Sequence, residues 1–128
     1  MAITPVEELV AAARGEIETL DIETAKTGQA RGDFMLVDIR DIRELEREGR
    51  VPGAFHAPRG MLEFWFDPSS PYFKDKLAGP EKKVLFCASA WRSALAVKTL
   101  QDMGVENIAD LRGGFTAWRD AGETVDKG

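Results

Sequence analysis

The chain has 128 residues, 44% hydrophobic and 30% charged, a composition that fits one globular domain with a sizeable core and excludes a disordered or fibrous chain. A formal net charge of −5 speaks against nucleic acid or an anionic membrane surface as partner, and no apolar run approaches the roughly 18 residues that span a bilayer. One cysteine excludes an internal disulfide, and with one histidine it leaves no basis for a protein-only zinc site.

The N-terminal stretch MAITPVEELVAAARGE lacks the basic start and continuous apolar core of a secretory signal, so a cytoplasmic location is expected. Thr4 as N-cap, Pro5 at the first position and Glu7 at the capping-box position predict a helix to about Arg14, stopped by Gly15. Glu16 to Leu20 reads as a short edge strand, and Asp21 caps a second helix through about Thr27, closed by Gly28. Phe34 to Ile39 is a continuous apolar run broken only by Asp38, the pattern of a parallel strand buried on both faces. Asp41 to Glu48 follows as a charge-rich helix with a solvated face, ending at Gly49. Gly53 to Ala57 is another short strand, with His56 as a satisfied strand-end histidine.

Arg59 to Leu77 is a longer excursion: helical turns around Met61 to Trp65, a turn at Asp67-Pro68, and a helical piece from Pro71. Its aromatics, Phe64, Trp65, Phe66, Tyr72 and Phe73, have the spacing of core packing. Val84-Leu85-Phe86 then runs as a strand into Cys87, and Ala96, Val97, Leu100 and Met103 mark one face of a helix that Gly104 ends. A short strand within Val105 to Leu111 and a last helix, Phe115 to Ala121, complete the chain. Gly113-Gly114 permits a tight entry to that helix.

The alternation of strand and helix predicts one α/β domain around a mostly parallel sheet, in which ligands gather beyond the carboxyl ends of the strands. Cys87 stands at such an end, in a strand-to-helix turn. Backbone N–H groups and the positive end of the helix dipole there favour the thiolate, which is the nucleophile.

The segments LVDIR (Leu36 to Arg40), GRVPGAFHAP (Gly49 to Pro58), CASAWRS (Cys87 to Ser93) and LRGGFTAW (Leu111 to Trp118) stand in an order that resembles the rhodanese (thiosulfate sulfurtransferase) superfamily. The likeness covers essentially Val6 to Val125. It implies a single three-layer domain over residues 1–128, core about 5–125, with a central five-stranded sheet flanked by helices on both faces. It also implies an enzyme, a sulfurtransferase in which Cys87 takes sulfane sulfur from an anionic, thiosulfate-like donor as a persulfide. Cyanide or a thiol then removes that sulfur.

In this resemblance the N–H groups of Ala88, Ser89, Ala90, Trp91, Arg92 and Ser93 surround the persulfide, and Arg92 clamps the anion. Arg40 faces the pocket or pairs structurally with Asp38, which supports neighbouring loops. Arg59 adds positive charge to the entrance wall, beside the aromatic excursion. No cofactor or metal is implied. The expected partners are the donor, the acceptor and a sulfur-relay protein, and the expected state is a monomer.

Six residues run from Cys87 through Arg92, the loop size the family uses for sulfur, whereas its phosphatase relatives carry Cys-x5-Arg. Ala90 replaces a common glycine, and Trp91 is large for the loop; both bear on which donor fits. Two alternatives stay open: a phosphatase or arsenate-reductase-like enzyme on the same fold, and a non-catalytic, partner-binding domain.

Overall fold

Two short apolar runs make the centre of the fold. In the computed structural model, which describes residues 2–127, they become β2 (Phe34–Asp38) and β4 (Lys82–Phe86), paired in parallel with Asp38 opposite Phe86. β5 (Ile108–Leu111) adds to β4, β1 (Glu18–Leu20) adds to β5, and β3 (Phe55–His56) adds to β2. The sheet order is β1-β5-β4-β2-β3, with every pairing parallel.

Successive residues of the central strands serve opposite faces, as the two-residue period of a strand requires. Val37 and Leu85 pack with Ala96, Val97 and Leu100 of α5 (Trp91–Met103) and Leu62 and Phe66 of α4 (Leu62–Phe66). Leu36, Val84 and Phe86 pack on the other side with Ala25 of α2 (Ile22–Ala30) and Phe115 and Trp118 of α6 (Gly114–Asp120). Each fully buried Val, Leu or Phe among them contributes about 1.5–3 kcal/mol. α1 (Val6–Arg14) lies on α5 through Val10, Ala13 and Ala94. α3 (Ile42–Glu48) follows β2 and carries a capping box between Asp41 and Glu44. The α/β architecture expected from the alternation, and the five strands and three layers that the resemblance implies, are observed. Among the described residues no helix is long and apolar enough to cross a membrane.

Several local expectations differ, among them that of core packing for Phe64 and Tyr72, which are exposed. Thr4 does not cap α1: Pro5 holds the N-cap position and no side chain bonds the first turn. α2 does not stop at Gly28 but runs to Ala30, because the Phe34 ring occupies the space a Cβ at position 28 would need. Glycine there serves packing and not termination. The helical piece expected from Pro71 begins at Asp75, as a 3-10 turn to Ala78. α5 begins at Trp91, earlier than its apolar face suggested, since Ala90 makes the turn by itself.

Candidate active site

Cys87 is the first residue beyond β4 and is 1% exposed. Its neighbours at the carboxyl end of the sheet are Asp38 at the end of β2 and Asp110 in β5, which pairs with Leu85. The chain leaves the sheet at Cys87 and enters α5 through Ala90, whose φ of 77° is left-handed. Such a conformation costs a residue with a Cβ roughly 1–2 kcal/mol, so surrounding contacts must hold it. In return, the Ala90 N–H donates to Cys87 Sγ at 3.1 Å. No side chain caps α5. Among the described residues, the first-turn N–H groups of Trp91, Arg92 and Ser93 meet no protein acceptor. They remain available, with the positive end of the helix dipole, to an anion at the sulfur.

Three elements fix the loop from outside. α6 starts against it: the N–H groups of Phe115 and Thr116 donate to the carbonyls of Cys87 (2.8 Å) and Ala88 (3.0 Å). Gly114, at φ 62°, lets the two backbones approach this closely, because a Cβ there would collide with both carbonyls. From α1, Arg14 donates through Nη2 to the Ala90 carbonyl at 2.7 Å. From β5, buried Asp110 accepts the Ser93 hydroxyl at 3.0 Å, and that same Oγ lies 3.8 Å from Cys87 Sγ.

Arg92 does not stand free. Its guanidinium forms a two-point pair with Glu44 of α3, at 2.9 and 3.1 Å. The carboxylate raises the Arg92 pKa above its ordinary value, and the charge on Cys87 adds in the same direction, against partial burial. Glu44 is correspondingly lowered below the usual carboxylate range, first by Arg92 and, against some burial, by the Asp41 N–H. The arginine expected to clamp an anion thus carries a resident carboxylate.

The other expected site residues divide. Arg40 is 0% exposed and cannot face an open pocket: it chelates Asp38, donates to the Gly49 carbonyl and stacks 4.0 Å over the Phe115 ring. Its place corrects the expectation of substrate contact, since the guanidinium is enclosed in the fold and paired with Asp38. Its Nη1 has no partner among the described residues. His56 binds the Arg40 carbonyl through Nε2 at 2.7 Å, a strand-end role. Arg59 is half-buried and pairs with Glu63 on its own segment, away from the loop's hydrogen bonds. Ser89 and Trp91 lie on the loop's flank, and Trp91 is exposed.

Arg14, Glu44 and Asp110 belong to the site and were not singled out by sequence. Two of them left a trace. Asp110 interrupts the apolar run of β5, and a charge in a fully buried strand calls for partners. Glu44 stands three residues after Asp41, the capping-box spacing, which also fixes its direction.

A family model described as a rhodanese-like domain matches residues 21–121. A solved structure from Rhodopseudomonas palustris, of unknown function and described as a possible tyrosine phosphatase, is 46% identical with a TM-score of 0.92. That match covers 98% of this chain and 97% of the other. The polysulfide-sulfur transferase homodimer of Wolinella succinogenes is 31% identical, TM-score 0.68, over 93% of this chain and 85% of the other. A sulfurtransferase of Allochromatium vinosum is 30% identical over 67% of this chain and 72% of its own length. Among curated relatives the chain spans from 53% to 82% of their length.

Proposed function

The chain belongs to the rhodanese-like domain family, and from that premise we propose that it is a sulfurtransferase working through a Cys87 persulfide. The observation that carries the proposal is the Cys87-to-Arg92 loop: a buried sulfur under the Ala90 N–H, at the uncapped start of α5. The sulfur transfers named for the Wolinella and Allochromatium relatives support it.

In the first half-reaction the Cys87 thiolate attacks the outer sulfur of a donor such as thiosulfate. The new S–S bond forms as the old one breaks, and sulfite leaves with the electron pair. The persulfide's terminal sulfur carries the negative charge, which the N–H groups of Ala90 and the first turn of α5 stabilise. Cyanide or a thiolate then attacks that terminal sulfur, takes it, and returns Cys87 as thiolate. Arg92 receives the donor's anionic group once Glu44 yields it. Asp38 and Arg40 act at a distance, holding the ends of β2 and the start of α6.

The Rhodopseudomonas structure favours phosphate-monoester hydrolysis as the second reading, with Cys87 attacking phosphorus. The six-residue loop weighs against it, being one residue shorter than the phosphatase form. Incubation with thiosulfate is expected to add one sulfur, about 32 Da, to the intact protein, reversibly with cyanide and not in Cys87→Ser. An unchanged mass across thiosulfate, mercaptopyruvate and glutathione persulfide, beside turnover of p-nitrophenyl phosphate, would replace the sulfur reading with the phosphate one.

A further inference from the structure

We infer that Arg14 is a positioning residue for Cys87, reaching from α1 to lock the left-handed turn that aims the Ala90 N–H at the sulfur. Arg14 lies outside residues 21–121, the part of the chain that the family model matches. The inference rests on Cys87 being the nucleophile of the proposed transfer, but it concerns the thiol itself and can be read without a sulfur donor.

Both terminal nitrogens of the guanidinium are engaged in the bonds that make this lock. Nη2 donates to the Ala90 carbonyl at 2.7 Å and to Asp110 Oδ2 at 3.1 Å. Nη1 donates to Asp110 Oδ1 at 3.2 Å and to Thr19 Oγ1 at 3.0 Å. Asp110, at 0% exposure, also accepts from the hydroxyls of Thr19 (2.8 Å) and Ser93 (3.0 Å). A planar fork held at both ends by a buried carboxylate has one orientation, so the remaining bond to Ala90 is directional.

Ala90 needs such a bond. With a Cβ at φ 77° it would relax toward negative φ if released, swinging its N–H off the sulfur. Among the described residues, the only other donor to its carbonyl is the Ala94 N–H at 3.3 Å, the weak first bond of α5. The charge-assisted bond from Arg14 is the shorter by far. On the Ser93 side, the same carboxylate orients the hydroxyl that stands 3.8 Å from Sγ. Arg14 thereby couples α1, β1 and β5 to both groups that touch the sulfur from within the fold.

The test uses Arg14→Gln, Ala90→Gly and the double variant, with iodoacetamide labelling of Cys87 followed by intact mass from pH 6.5 to 9.5. Arg14→Gln is expected to slow labelling at pH 6.5 about five- to tenfold, with the difference narrowing as the pH rises toward 9.5. Adding Ala90→Gly is expected to restore most of the loss, because glycine takes a positive φ without help. A merely structural role predicts the opposite sign, since loosening the fold exposes a buried cysteine and speeds labelling. Unchanged or faster labelling at pH 6.5, or slowing that glycine does not relieve, overturns the inference. If Arg14→Gln does not fold, Arg14→Gln/Asp110→Asn, which leaves no unpaired buried carboxylate, is judged by the same two outcomes.

Discussion

Replacing Glu44 with glutamine isolates the resident carboxylate on Arg92. Glutamine keeps the shape and the bond to the Asp41 N–H, since it serves as well as glutamate at that capping position. Only the charge pair is lost. The Arg92 side chain is 43% exposed and that of Glu44 20%, so water screens the pair, and such pairs contribute about 0.2–1 kcal/mol. Two-point geometry places this one near the top of that range, and about 1 kcal/mol corresponds to roughly fivefold in an equilibrium constant. An incoming anion that needs Arg92 must displace Glu44 and bears that cost. The assay is the ratio of Cys87 labelling by iodoacetate to labelling by neutral iodoacetamide at low ionic strength. Glu44→Gln is expected to raise the ratio about two- to fivefold, and high salt to erase the difference. In the sulfurtransferase reaction the same gain falls on the KM for thiosulfate. A ratio that stays level or falls would mean that Glu44 aims Arg92 at the anion and does not compete with it.

Two further outcomes follow from the fold. Arg40→Met strands buried Asp38 without its guanidinium and is expected to lower unfolding free energy in urea by about 3–5 kcal/mol, with Asp38→Asn in the same chain recovering part; a loss below about 1 kcal/mol would refute the pairing. The entry of α3 should weaken in acid: Asp41, lowered to about 2 chiefly by the Arg43 guanidinium, and Glu44, also lowered, both stabilise the fold above their ordinary carboxylate values. That stabilisation is lost as the pH falls below about 4.5 toward 2, so the urea midpoint should drop over this window and drop less in Asp41→Asn, whose amide still caps the helix.

The parts of the fold that were legible in the sequence are those written in local pattern. The double-sided burial of β2 and β4 appears as the apolar runs Phe34 to Val37 and Val84 to Phe86, and Asp21 caps its helix as expected. Gly28 misled because a glycine in a helix has two meanings, and only the Phe34 ring decides between them. In the site, Cys87 and Arg92 share one loop and could be found together. Arg14 meets Ala90 across 76 positions and Glu44 meets Arg92 across 48. Nothing local in an arginine closing one helix, or a glutamate in a charged one, announces such a partner. Arg40 shows the converse: a motif named the residue, but burial fixed its role.

The close approach of α6 to the thiol loop also sets an order of events. Phe115 and Thr116, whose N–H groups hold the Cys87 and Ala88 carbonyls, are made after the cysteine, and the Gly114 gap that admits them closes only when α6 docks. On the ribosome, a chain that has released Cys87 but not α6 carries an ordinary thiol at the end of an unfinished sheet. The loop's carbonyls still point where solvent takes them. The cradle around the sulfur is therefore complete only with the whole fold, and a stalled or truncated chain carries an exposed thiol without it.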